Sequence, residues 1–272
     1  MGKFDGILLC TDLDGTLLKN DKSISARDEQ ALNYFKENGG MLSVMTGRMS
    51  FVLEPIIEAV KPNVPVGFGN GLGIYDFEHN QKLHLSFTDS SVLTFVKKVY
   101  ETFPEIGIEI TTHDRIYCAR VNDCIKKHLS DEGIQLVTAD IDGFDEPIAK
   151  ILFAAVPDRL EEFIRAISTC SEQKQFQFLR SDHIYHEILP KGVGKGSLLK
   201  KLAGQLGEKV THTIAVGDND NDVSMLEAAQ VGIAVANATP AAKQAADLST
   251  VSNQEDAIAH IIDQLDRGEI RL

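Results

Sequence analysis

Short apolar runs that stop abruptly at polar or glycine-rich clusters set the rhythm of this chain. Residues 7–10 are continuously apolar, as expected of a strand buried on both faces of a parallel sheet. An amphipathic stretch follows from about residue 26, with Ser25 placed as its N-cap, Asp28 as the acidic partner three positions on, and Asn38-Gly39-Gly40 as its stop. Residues 41–45 read as a second strand ending at Thr46-Gly47-Arg48, and residues 64–68 as a third ending at Gly69-Asn70-Gly71. Strand, helix, strand, helix, strand is half of a doubly wound α/β domain.

From about residue 83 the pattern changes. Strands are predicted at 83–87, 107–111, 116–119, 134–137, 151–155, 175–179 and 184–188, with helices at 92–100, 121–129 and 160–167. Polar and apolar positions alternate in these strands, which suits a sheet with one open face and helices on the other. After Pro190 the first rhythm returns: helix 197–206, strand 213–216, helix 222–229, strand 232–235, then helices at 240–246 and 255–265. The expected fold is therefore α/β, a doubly wound, mostly parallel sheet core (1–82 and 189–272) with an inserted α+β domain (83–188).

Charge narrows the partners. The formal net charge is −13 with no Lys/Arg-rich block, so the long-range field repels nucleic acid and anionic membranes, and an anionic ligand needs local cations. Cys10, Cys118, Cys124 and Cys170 lack the spacing of a zinc site or a disulfide framework and read as buried free thiols. No signal-like or membrane-length apolar segment interrupts the chain, which predicts a cytoplasmic location.

Three motifs carry chemistry. Asp12 and Asp14 sit two apart beyond the first strand, where ligands of open α/β sheets bind; Gly15 permits a tight turn and Thr16 offers a hydroxyl. This spacing lets one carboxylate attack phosphorus while the other protonates the leaving oxygen. Gly217-Asp218-Asn219-Asp220-Asn221-Asp222 follows strand 213–216 in the same way, and its oxygen ligands suit magnesium better than zinc or copper. An EF-hand is excluded, because Val223 and Ala229 stand where that loop needs Gly and Glu. Lys191-Gly-Val-Gly-Lys195-Gly fails as a nucleotide P-loop, having Leu189 and Gly196 at two required positions. Lys195 is nonetheless a candidate phosphate clamp at a helix start. Residues 69–73 miss the dinucleotide fingerprint, and His113, His183 and His186 have no third ligand spaced with them.

Taken in order, these motifs resemble the haloacid-dehalogenase-like hydrolase superfamily, in its Cof-type phosphatase branch with an α/β cap. Asp12-Leu-Asp-Gly-Thr16, Thr46-Gly-Arg48, Lys195 and Gly217–Asp222 match its four motifs, and Asn70-Gly71 and residues 232–238 with Lys243 and Asp247 also look like the branch pattern. The resemblance implies Asp12 as nucleophile forming an aspartyl-phosphate and Asp14 as acid/base. It implies Mg2+ on the Asp12 side chain, the Asp14 backbone carbonyl and the Asp218 side chain. Thr46, Gly47 and Lys195 would hold phosphate, Asn221 would support the phosphate or the metal shell, and Asp222, Asn70 and Arg48 would stand in support, with residues 83–188 as the lid that selects substrate.

The expected activity is Mg2+-dependent hydrolysis of small phosphorylated metabolites. Lacking Trp, with few Tyr, the chain offers no obvious aromatic cage, so sugar phosphates are favoured over pyridoxal or flavin phosphate. A phosphomutase, or a non-enzymatic phosphoacceptor or metabolite-binding module, are the other readings. Against the phosphoacceptor stands Asp14, since a stable acyl phosphate has no use for an adjacent acid/base.

Overall fold

The structure is a computed structural model and describes residues 2–272. The chain divides into two compact units, one formed by Met1–His84 with Gly194–Leu272 and the other by Leu85–Val193.

The first unit is built on a parallel sheet of β1 (Ile7–Thr11), β2 (Met41–Val44), β11 (His212–Gly217), β12 (Val231–Ala234) and β13 (Leu248–Ser249), in the order β13-β12-β11-β1-β2. β1 is buried along its whole length, as its unbroken apolar run requires. Its helices are α1 (Ala26–Glu37), α2 (Glu54–Val60), α6 (Lys195–Leu206), α7 (Val223–Ala228), α8 (Pro240–Ala245) and α9 (Ala257–Asp266). The crossover from β1 to β2 moves one way across the sheet and that from β11 to β12 moves the other. Right-handed crossovers then place α1 and α7 on opposite faces. A switch point therefore lies between β1 and β11, where open α/β sheets leave a crevice for ligands.

The start of α1 shows how local chemistry anchors this framework. Ser25 Oγ accepts from the Asp28 N–H at 2.9 Å, as its position in sequence suggests, and also donates to the Asp28 carboxylate. The other Asp28 oxygen accepts from the Ala259 N–H at 2.8 Å, so this buried carboxylate ties α1 to α9. Beyond β2, an isolated parallel bridge from Met45 to Gly67 continues the sheet toward β3 (Val66–Phe68). There β4 (Gly73–Asp76), a strand the periodicity does not signal, lies between β3 and β5 (Gln81–Leu85).

The second unit is an antiparallel sheet of β6 (Gly107–Thr111), β7 (Ile116–Arg120), β8 (Lys150–Ala154), β9 (Phe176–Asp182) and β10 (Tyr185–Pro190), ordered β7-β6-β8-β10-β9. Ile108, Ile110, Ile151, Phe153 and Ile188 pack one face against α3 (Val92–Thr102) and α5 (Pro157–Ile167). The expectation of a wholly open second face does not hold. Ile116, Cys118, Leu152 and Ala154 point the other way and cluster with Ile125 and Leu129 of α4 (Asp123–Asp131). That face also carries buried polar residues, among them Glu109, Thr111 and the Lys150–Glu187 ion pair at 3.0 Å. Residues 134–137 form no strand: the Asp-, Gly- and Pro-bearing segment that follows permits only a single bridge, Cys118 to Thr138. Beside α3 is an open cleft of about 510 Å³, lined in part by Lys97, Tyr100, Glu101, Asp140 and Asp142. None of the residues singled out by sequence lies in it.

Cys10 and Cys118 are buried and Cys124 and Cys170 partly exposed, all four as free thiols. Among the described residues no helix is long and apolar enough to cross a membrane.

His186 gives this unit a pH dependence. Its ring lies against Phe178, and burial pushes its pKa down to about 4; Arg180 acts in the same direction, and Glu187 and Glu161 oppose them. Between pH 6.5 and 4 the unfolded imidazole takes up a proton that the folded one refuses, so stability falls with pH through this window, by up to about 3 kcal/mol. His128 acts in reverse. Burial lowers its pKa, but the Glu109 hydrogen bond and charge outweigh that and raise it, so its contribution is present at low pH and lost as pH rises through the folded value. His186→Leu is therefore expected to flatten the acid-side loss of hydrogen-exchange protection in β8 and β10, after correction for intrinsic exchange. An unchanged profile would remove His186 as the cause.

Candidate active site

The carboxyl ends of β2, β1 and β11 stand side by side, because the register pairs Thr11 with both Val44 and Val216. Two backbone bonds prolong this alignment past the strands: Asp12 N–H donates to Val216 O and Met45 N–H to Thr11 O, each at 2.9 Å. Asp12 and Asp218 thus emerge from neighbouring strand ends at the switch point, with Thr46 one strand further on.

Lys195 is the central cation. It opens α6, and its side chain is only 1% exposed. Its Nζ lies 2.6 Å from Asp12 Oδ1 and 2.5 Å from Asp222 Oδ1. A helix N-terminus is a poor place for an ammonium, so these two carboxylates hold the charge there. Burial lowers the Lys195 pKa, but Asp12 and Asp222 outweigh it and raise it. Asp222 Oδ2 accepts from the N–H groups of Asp218 and Asn219, both at 3.0 Å, which shapes the turn after β11. The segment around Lys195 is fixed in turn by the Gly196 N–H, which donates to Ser224 Oγ of α7 at 3.1 Å.

Asp14 occupies a different environment. The Arg48 fork grips it through Nε at 2.7 Å and one terminal nitrogen at 2.9 Å, and Lys22 Nζ adds a third contact at 2.8 Å. Burial alone would raise the Asp14 pKa; Arg48 and Lys22 outweigh it and bring it down to about 2. Asp12 moves the opposite way. Burial raises it, Lys195 opposes, and Asp222 and Asp218 add to the rise.

Oxygen atoms of Asp12, Asp218 and Asp222 lie within 4.8 Å of one another. These three carboxylates share one ammonium, so two negative charges are uncompensated when all are ionised. Asp218 shows the consequence: burial, with Asp222 beside it, raises its pKa to about 7 against the pull of Thr16 and Lys195. Asp222 is already saturated by Lys195 and two N–H groups. Asp12 and Asp218 are the better ligands, Asp218 receiving Thr16 Oγ1 on one oxygen only, at 2.7 Å. Gly15 (φ +86°) keeps this corner open, since a Cβ there would come within 2.5 Å of the other Asp218 oxygen. A hard-oxygen donor set with a charge deficit of two fits a divalent cation of the magnesium class.

All the residues singled out by sequence for this site converge in the first unit. Thr46 Oγ1 accepts from the Arg48 N–H at 3.2 Å, the Gly47 backbone lies against the Asn70 side chain, and Asn221 Nδ2 donates to Asn70 Oδ1 at 2.9 Å. Lys22 was missed. It lies in a turn and is largely exposed, and nothing in its spacing links it to Asp14. Also missed was Asn237, whose Nδ2 donates to Gly15 O at 2.8 Å and whose Oδ1 receives the Asn253 N–H. Its place inside residues 232–238 was the available signal.

Residues 9–262 match the family model of haloacid dehalogenase-like hydrolases. The chain belongs to this family, and the carboxylate cluster at its sheet edge is that of a phosphoric monoester hydrolase. It is 30% identical to phosphatase YwpJ of Bacillus subtilis, over 95% of this chain and 99% of that protein. It is 27% identical to 5-amino-6-(5-phospho-D-ribitylamino)uracil phosphatase YitU of the same species, over 94% and 96%. Among solved structures, a haloacid dehalogenase-like hydrolase from B. subtilis superposes with a TM-score of 0.81 at 26% identity, covering 95% of this chain and 99% of that one.

Removing the ammonium should leave Asp12 and Asp222 facing each other without a cation. Lys195→Met is expected to cost about 3–5 kcal/mol in denaturant unfolding, whereas Lys191→Met, at an exposed position, should stay within about 0.5 kcal/mol. A loss below about 1 kcal/mol for Lys195→Met would contradict its role as the buried counter-charge.

Proposed function

We propose that this protein is a Mg2+-dependent phosphomonoester hydrolase of small phosphorylated metabolites, sugar phosphates foremost, working through an aspartyl-phosphate on Asp12. The observation that carries the reading is the buried Asp12 carboxylate, 2.6 Å from Lys195 and beside Asp218 at the switch point of the sheet.

Asp12, the Asp14 backbone carbonyl and Asp218 would hold the cation, which when bound supplies positive charge against the phosphoryl oxygens. Lys195 adds a fixed ammonium, and Thr46, Gly47 and the Asn221 amide supply donors. An Asp12 oxygen attacks phosphorus, the ester oxygen departs with its bonding electrons, and Asp14 delivers a proton to it. Asp14 then takes a proton from the water that cleaves the acyl phosphate. With Arg48 and Lys22 on it, Asp14 is an anion with no proton to give, so both must yield and Asp14 must take up a proton from solvent before it serves the leaving oxygen. Residues 83–188 are proposed as the lid that selects the alcohol.

A second reading has specific support. YitU and YwtE of B. subtilis, each 27% identical to this chain, act by name on 5-amino-6-(5-phospho-D-ribitylamino)uracil. That compound joins a phosphorylated polyol to a flat ring, and so lies between the sugar phosphates and the flavin phosphates.

Purified protein with Mg2+ is expected to release inorganic phosphate from a panel of sugar phosphates and from p-nitrophenyl phosphate, and chelation should stop it. Asp12→Asn should abolish turnover with the fold intact. Asp14→Asn should cost far more on alkyl phosphates than on p-nitrophenyl phosphate, whose leaving group needs little protonation. Equal losses on both would contradict the acid role, and no release from any ester would overturn the enzyme reading.

A further inference from the structure

Asn70 is fully buried, with its backbone in the left-handed region (φ 56°, ψ 31°), a conformation Asn tolerates better than most residues. Its contacts reach the segments around the site. The backbone N–H donates to Thr46 O at 3.0 Å, and the neighbouring Gly69 N–H to Arg48 O at 2.9 Å. Its side chain fills the space beside Gly47, where a Cβ would come within 2.9 Å of Asn70 Oδ1. The next residue, Gly71 (φ +110°), meets the backbone of Gly194 so closely that a Cβ would lie 2.4 Å from the Gly194 carbonyl carbon. Asn70 Oδ1 accepts from Asn221 Nδ2 at 2.9 Å. One turn thus braces Thr46–Arg48, the residue before Lys195, and Asn221.

We propose that Asn70 is a positioning residue for phosphate, acting through the Asn221 amide. An amide nitrogen has two protons. With one committed to Asn70 Oδ1, the amide plane is set and the second N–H is available to a phosphoryl oxygen. Without that anchor, rotation about the terminal side-chain torsion, which is broad and roughly two-fold, can present the carbonyl oxygen, and this repels a phosphate dianion. Turn geometry alone does not account for the side chain, since glycine adopts the same backbone conformation with no amide at all. The proposal rests on the reading of Thr46, Gly47 and Asn221 as phosphate contacts.

The test is a double-mutant cycle of Asn70→Gly and Asn221→Ala, with Asn70→Ala as a second route should the glycine variant fail to unfold cooperatively. Three quantities are read with Mg2+ present: kcat and KM on p-nitrophenyl phosphate, the affinity for inorganic phosphate by calorimetry, and the unfolding midpoint. Asn70→Gly is expected to weaken phosphate binding about 10-fold and to lower kcat/KM by about 10- to 100-fold, while unfolding stays cooperative. In the Asn221→Ala background the same substitution should change both by less than about 2-fold, because the group it acts through is gone. Losses that multiply in the double variant, or an Asn70→Gly enzyme with wild-type phosphate affinity, would overturn the assignment. A wild-type protein that neither binds inorganic phosphate nor hydrolyses the ester would instead overturn the phosphatase reading, and the inference with it.

Discussion

A buried ammonium shared by two carboxylates from different parts of the chain is the interaction on which this site depends. Lys195 cannot be solvated where it lies and occupies the end of a helix that disfavours positive charge. Asp12 must therefore come from β1 and Asp222 from the turn after β11 to meet it. The two contacts link the start of α6 to the end of β1 and to the turn that precedes α7. The core unit also resumes at Gly194, one residue before Lys195. The insertion is thus spliced into the sequence next to the residue that organises the charges.

The environments of Asp12 and Asp14 separate two identical side chains only two positions apart. Asp12 is enclosed and shares its cation with Asp222; Asp14 is about one-third exposed and is held by Arg48 and Lys22. Burial acts on both, yet their pKa values are driven in opposite directions. These directions belong to the state in which Arg48 and Lys22 hold Asp14, and only their release lets Asp14 keep the proton that an acid role requires. The division follows from geometry: one side chain turns inward to α6, and the other turns toward the segment after β2.

The two carboxylate motifs were legible because each follows a largely apolar strand-like run, whereas Lys195 was legible only from its glycine-flanked place at a helix start beside them. Residues 7–10 and 213–216 announce buried parallel strands, and a carboxylate directly after such a strand can only be at the sheet edge. Ser25 and Asp28 were readable for a similar local reason, although the second bond of Asp28, to Ala259, lies 231 positions away and left no trace. What failed to read was decided by tertiary packing. α4 covers a sheet face that alternation alone could not distinguish from an open one, and β13 is two residues long. β4 follows a turn in which Asn70 and Gly71 both have positive φ, so a reader sees glycine punctuation rather than a hairpin. Lys22 joins Asp14 from a loop without periodicity.

Charge finally constrains how an anionic substrate can be accepted by a protein of net charge −13. Asp12 and Asp218 repel a phosphate dianion until their own charge is offset, and Lys195 cannot do this alone because Asp222 already draws on it. Arg48 and Lys22 are likewise engaged by Asp14. Every cation identified at the sheet edge is therefore paired in this state, and affinity for phosphate beyond what the neutral donors supply has to come from exchange of partners or from added positive charge. Exchange is open to Arg48 and Lys22, whose pair with Asp14 is partly exposed; it is closed to Lys195, which is enclosed on both sides. Selectivity for an ester over free phosphate then rests on what the alcohol portion touches, since the phosphate portion meets the same charges in either case.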